Sequence, residues 1–261
     1  MRLFGGADDA SFGDGVFLAV LADVEKNVSR DGATGNYSSV WMVDRVFENR
    51  TSLITDPPDG RLPPLTPDAA ELRAIARERR GSNAYAGPED LGLQVRCITY
   101  GIPRIGGLGA GYNSYYQIFQ TSDHIVMLGE MIHDARVIPI TDRSHIDDDI
   151  RQWHGDARAH WEGDTLVVET TNFDSQATYL GSTDGRHLVE RLTRVGPDSL
   201  HYEITLTDPT VWTSSWTAMV PMGRTDDPLF EYACHEGNIG MAGILSGARV
   251  QEIAPTDGGS R

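Results

Sequence analysis

The densest run of chemically able side chains in this sequence is Glu130-Met-Ile-His133-Asp134-Ala-Arg136. An imidazole braced by a carboxylate, with a guanidinium close by, makes a workable acid–base unit. Asp134 or Glu130 would orient His133 and raise its basicity, while Arg136 could take an anion or stabilise a developing oxyanion. In an unbroken strand Glu130, Asp134 and Arg136 share one face and His133 turns to the other. A bend or bulge between Met131 and Asp134 would bring all four together. The competing expectation is an arginine–carboxylate network that ties strand ends together and does no chemistry.

Four weaker sets follow. In Cys234-His235-Glu236-Gly237-Asn238, His235 offers a second acid–base group at a strand end. The run holds half of an HExxH pattern, but Gly237 argues against a helix and no histidine stands at position 239, so a zinc-protease site is excluded. The stretch 151–161 carries His154 and His160 between Trp153 and Trp161, at a spacing that is not a metal pair. Tyr112, Tyr116, Trp153 and Trp216 could line an apolar pocket with polar tips, or simply pack the core. Glu190 and Arg191 sit on one strand and point to opposite faces, so one of them faces the interior and needs a partner. Arg194 shares the Glu190 face, and an interior Glu190 paired with an interior arginine would mark a substrate-contacting site.

The elements that position these residues change character near residue 100. Before it the chain is irregular and proline-rich; the run Asp56-Pro57-Pro58-Asp59-Gly60 cannot belong to a central strand. Thr66 can cap a helix whose first turn holds Pro67 and which runs to about Arg80. An apolar stretch between Asp14 and Asp23 reads as an amphipathic helix starting near Asp14. From residue 112 the pattern is strand, short turn, strand: 115–121, 124–131, 135–140, 157–161, 165–171, 187–195, 200–207, 211–220 and 230–234. Connections this short force antiparallel pairing. The expected fold is mainly β: a lipocalin-like antiparallel barrel of about eight strands, with a sandwich as runner-up. Residues 1–111 would form an irregular region with two short helices, 112–250 the barrel and 251–261 a flexible tail, all in one domain.

A formal net charge of −16 repels phosphate backbones and anionic lipid, which argues against nucleic-acid and membrane-surface roles. No apolar run approaches the ~20 residues that span a bilayer, and no signal peptide is seen, so the chain as written reads as soluble and cytoplasmic. Cys97 and Cys234 are either two buried thiols or a bridge closing a long loop. The glycine-rich stretch 101–111 lacks the context of a phosphate cradle. It and the segment 56–67 are available as arms for contact with a second copy of the chain or as lids.

Thr51-Ser-Leu-Ile-Thr-Asp-Pro-Pro-Asp-Gly-Arg61, Glu130-Met-Ile-His-Asp-Ala-Arg136 and Trp161-Glu-Gly-Asp-Thr-Leu-Val-Val168 carry a resemblance to a family of β-rich bacterial proteins to which no activity is attached. It also takes in His187-Leu-Val-Glu-Arg191 and Glu231-Tyr-Ala-Cys-His-Glu-Gly-Asn238, and covers most of residues 35–250. It implies relatives that are often exported, and supplies no mechanism.

No GxSxG elbow, papain-type cysteine neighbourhood or βαβ dinucleotide fingerprint is present. The expectation is therefore an enzyme that needs no cofactor or metal. It would use His133, Asp134, Glu130, Arg136 and His235 for elimination, isomerisation or cyclisation of a small, partly apolar molecule in the barrel. The alternatives are a non-catalytic small-ligand carrier and a metal-dependent hydrolase.

Overall fold

A computed structural model describes residues 16–19, 49–82, 85–103, 115–226 and 228–253. Strands β1 (Val16–Ala19) and β2 (Ile54–Asp56) precede helix α1 (Pro67–Ser82). Three strands follow, β3 (Tyr115–Gln120), β4 (His124–Gly129) and β5 (Ala135–Pro139), in an antiparallel ladder. A five-strand meander comes next: β6 (Asp156–Glu162), β7 (Thr165–Thr171), β8 (His187–Gly196), β9 (Ser199–Thr207) and β10 (Trp216–Thr225). Short β2 adds to β10, making six strands in that ladder. Helix α2 (Ile239–Ile253) ends the described chain. The protein is thus mainly β and antiparallel, and the described residues include no helix long and apolar enough to cross a membrane.

Strand identity follows the alternation of side chains. In β8, Leu188, Glu190 and Leu192 are buried while Val189 and Arg191 are less so, and in β9 Leu200, Tyr202, Ile204 and Leu206 repeat the pattern. Their inner faces meet Trp216, Ala218, Val220 and Met222 of β10 and Ile118, Ile125, Met127 and Ile138 of the smaller ladder in one core. Removing the side chain of a fully buried leucine such as Leu188 or Leu192 costs about 2–5 kcal/mol. The outer faces carry exposed pairs such as Arg191–Glu162 and His187–Glu169, which solvent screening leaves with little effect on stability.

Three expectations need correction. The stretch after Asp14 is a strand over Val16–Ala19 where a helix was expected. β1 runs antiparallel between β3 and β10, joining the two ladders, with Val16 opposite Gln117 on one side and Thr225 on the other. Two open strand edges offer backbone hydrogen bonds that outweigh a short amphipathic pattern; the remainder of that expected helix lies outside the described residues. Residues 230–234 form no ladder strand, and residues 239–250 do not continue the β-structure. They belong to α2, which Asn238 starts: its side chain accepts the Met241 amide (3.3 Å) and donates to Val95 O (2.8 Å). Arg249 fastens the far end of α2 to the carbonyls of Tyr85 and Ala86, each at 2.8 Å.

α1 starts as the sequence predicts, with the Thr66 hydroxyl accepting the Ala69 amide at 3.2 Å, and it ends two residues beyond the expected stop. Cys97 and Cys234 are joined in a disulfide, Cα atoms 5.8 Å apart across 137 residues of sequence. The bridge holds the start of α2 and the segment 97–103 together.

Candidate functional site

The chain breaks between β4 and β5, and that break decides where the polar run points. Ile132 and His133 both adopt positive φ, 61° and 56°, so the strand stops at Gly129 and restarts at Ala135. Glu130 turns inward, fully buried, and accepts the Phe230 amide at 3.0 Å. His133 turns outward and its Nε2 accepts the Tyr232 amide at 3.0 Å. A ring nitrogen that accepts a backbone N–H has its lone pair occupied, so Nε2 of His133 is engaged as an acceptor in this arrangement. Two alternate amides of the segment before Cys234 are thereby tied down, and both candidate groups act as anchors for the chain that carries the disulfide.

Arg136 points into the core. Its Nη1 and Nη2 donate to Glu190 Oε1 and Oε2 at 2.9 and 2.7 Å, and Nη2 also reaches Thr170 Oγ1 at 3.2 Å. Tyr202 donates its phenol to Glu190 Oε1. Burial pulls the guanidinium down, but Glu190 more than offsets this and Arg136 is held above its ordinary value. Burial and the Glu190 carboxylate both push the Tyr202 phenol up. Tyr116 lies within electrostatic reach of both, and Trp216 is buried with its Nε1–H unpaired and its ring edge-on to Trp212. Arg194, expected on the Glu190 face, stays in register opposite Leu200 just before a shift, but it is exposed and binds the carbonyls of Gly196 and Pro197 instead.

Asp134 meets a different histidine. Thr99 donates its hydroxyl to Asp134 Oδ2 (2.9 Å), the Tyr100 amide donates to the same oxygen (2.8 Å), and His154 Nε2 lies 3.5 Å from Oδ1. His154 Nε2 also stands 2.8 Å from the Thr99 hydroxyl, which accepts the Gly101 amide at 3.0 Å. Because the only hydroxyl proton of Thr99 goes to Asp134, Nε2 must be the donor in its bond to Thr99. Nε2 therefore carries a proton in this arrangement. Burial raises the Asp134 carboxyl, yet the bonds from His154, the Tyr100 amide and Thr99 together hold it below the usual carboxylate range. His154 keeps 24% of its side chain exposed. Its ring combines a buried carboxylate brace with a fixed hydroxyl contact.

Gly155 makes this placement possible. It sits at φ 68°, and a Cβ there would stand 2.4 Å from the Thr171 carbonyl oxygen and 3.0 Å from Phe173 Cε1. Only glycine lets residues 152–155 lie this close to the end of β7. On the face of the same Phe173 ring, 3.9 Å from its centre, lies the guanidinium of Arg186.

The remaining candidates lie apart. His235 is exposed in the turn after the disulfide, Trp153 is exposed beside His154, and Tyr112 falls outside the described residues. His145 and Arg158 share Asp156 at 2.9 and 2.7 Å, a tie between a loop and β6. No group of three His, Cys, Asp or Glu side chains able to hold a metal gathers among the described residues. Compared with known proteins, the chain matches no protein-family model and no curated protein. Thr99 and Arg186 carried no motif in the sequence. Arg186 did carry a period-two signal: it continues inward-facing 188, 190 and 192 by one step.

Proposed function

We propose that the protein is a cofactor-independent enzyme that moves a proton on a small molecule, with His154 as the acid–base group and Asp134 as its orienting carboxylate. The observation that carries this reading is the chain of contacts Asp134–Thr99–His154, which holds Nε2 as a donor and leaves Nδ1 without a partner among the described residues. Nδ1 would take a proton from the substrate and return it elsewhere, as elimination, isomerisation or cyclisation each require. An ionised Asp134 stabilises the imidazolium formed between these two steps. The roles first given to His133 pass to His154, because His133 spends its basic nitrogen on a backbone amide.

The reading of the sheet as a rolled barrel draws support from two contacts. Ile140 and Ala159 form a bridge where the end of β5 meets β6, and Arg136 of β5 reaches Glu190 of β8 through the core. The inner faces are filled by side chains of near-zero exposure, which favours a site at the rim over one deep inside. The disulfide favours an oxidising compartment, since such bridges persist there.

The test is incubation in D2O with a panel of small carbonyl and carboxylic compounds, read by mass spectrometry. The wild type is expected to exchange or convert a panel member about 10²–10⁴-fold faster than His154→Asn, with His133→Asn near wild type once folded. Equal rates in wild type and His154→Asn would remove His154 from the chemistry.

A further inference from the structure

Arg186 is 2% exposed, and among the described residues two of its three nitrogens have no acceptor. Nη2 donates to Ala177 O at 3.0 Å and one face of the guanidinium rests on Phe173; Nε and Nη1 meet no acceptor there. Tyr179, 9% exposed, also has an unpaired hydroxyl, and the two groups lie within electrostatic reach of each other. The carboxylate nearest in electrostatic terms, Asp208, is already occupied: Ser182 Oγ and the amide and hydroxyl of Thr210 donate to it. A buried guanidinium without a bonded counter-ion carries a heavy desolvation penalty, which a stacked ring offsets only in part. Burial accordingly pushes Arg186 down to about 10, still charged at neutral pH.

This pair adjoins the His154 site. Gly155 backs onto the edge of Phe173 while Arg186 covers its face. Tyr100, whose amide holds Asp134, lies within electrostatic reach of Tyr179, and Gly101 packs toward the Thr178 carbonyl.

We infer that Arg186 and Tyr179 are the seat for a carboxylate carried by the substrate of the His154 site, an inference that rests on the acid–base reading above. One guanidinium and one phenol supply a single positive charge and a two-pronged contact, which suits a monoanionic carboxylate. A phosphate dianion would meet too little positive charge, with Asp208 opposing it. Both groups are closed off from bulk water, so entry of the carboxylate displaces a side chain. The one placed to yield is Leu180, exposed at the tip of a tight turn whose start, Tyr179, is fixed by two 2.9 Å backbone bonds to Ser182.

The experiment measures binding of acetate, propionate and benzoate, each against its neutral amide and against inorganic phosphate, by calorimetry and thermal shift. A carboxylate is expected to raise the wild-type Tm by roughly 5–10 °C at a hundredfold excess over Kd, with no effect from the amide. Arg186→Met should abolish the effect and Tyr179→Phe should weaken binding about tenfold. Should Arg186→Met fail to fold, Arg186→Lys and Tyr179→Phe carry the test, each with reduced affinity expected. Wild type that does not prefer carboxylates to amides overturns the inference, as does tighter binding of phosphate or undiminished binding by the variants. His154→Asn should bind the carboxylate unchanged. If it does while turnover proves independent of His154, the carboxylate seat stands and the acid–base reading falls.

Discussion

Arg136 and Arg186 are both nearly sealed from water, at 6% and 2% exposure, yet Arg136 meets Glu190 in a two-pronged ion pair and leaves Nε alone unpaired, whereas Nε and Nη1 of Arg186 meet no acceptor among the described residues. Glu190 holds Arg136 above its ordinary value, while burial pushes Arg186 down to about 10. The first arrangement ties β5 to β7 and β8 through contacts that a ligand could only disrupt. The second keeps donors that nothing in the described fold uses. A buried charge with its partner is therefore read as architecture, and one with unpaired donors beside a braced histidine as a site.

The largest way to separate the two regions is through the disulfide, which pins the segment carrying Thr99 but does not touch the Arg136 network. Closing a loop of 137 residues stabilises by up to about 4–5 kcal/mol in the chain-entropy model. Cys97→Ala with Cys234→Ala is expected to lose much of that in urea unfolding. Amide exchange should rise first around residues 97–103 and α2, with β8 and β9 still protected. Early loss of protection in β8 would mean that the two regions are one cooperative unit.

Next in size is the contrast between the arginines themselves. Arg136→Met leaves Glu190 buried without its counter-ion and should cost about 3–5 kcal/mol. Arg186→Met removes an unpaired charge along with one hydrogen bond and a stacking contact, and should change stability by no more than about 1 kcal/mol. Equal losses from matched chemical denaturation would erase the distinction between them.

The smallest effect lies in pH. Asp134 is held below its usual value of 3.8 by His154, Tyr100 and Thr99 against the opposing effect of burial. A depressed carboxyl contributes stability in full above its unfolded value and loses it as pH falls through the lower folded value. Wild type should therefore lose more stability than Asp134→Asn as pH drops from neutral to below 3.8. Parallel curves would show that the carboxylate is not stabilised by its neighbours.

Much of the fold was legible in advance for a local reason. Alternating apolar residues with short turns marked the meander, and β7 spans the residues expected of it. Thr66 and Pro67 marked the start of α1, because a cap and a first-turn proline act within four residues. β1 and α2 were missed: one is decided by strand edges about 100 and 200 residues away, the other begins at a cap, Asn238, that is also anchored to Val95.

For the site, the sequence alone marked Glu130, Asp134 and Arg136 as one polar cluster and required a partner for whichever of Glu190 and Arg191 faces inward, since a buried charge cannot be left bare. Who those partners are was a tertiary matter. Two residues of positive φ at Ile132 and His133 reset the face of the chain, so neighbours in sequence went to three places. Glu130 and His133 hold the segment leading to the disulfide, Arg136 joins Glu190 54 residues away, and Asp134 joins Thr99 and His154. Side-chain type and period set which atoms need a hydrogen bond; only the packing of distant strands decides which atom supplies it.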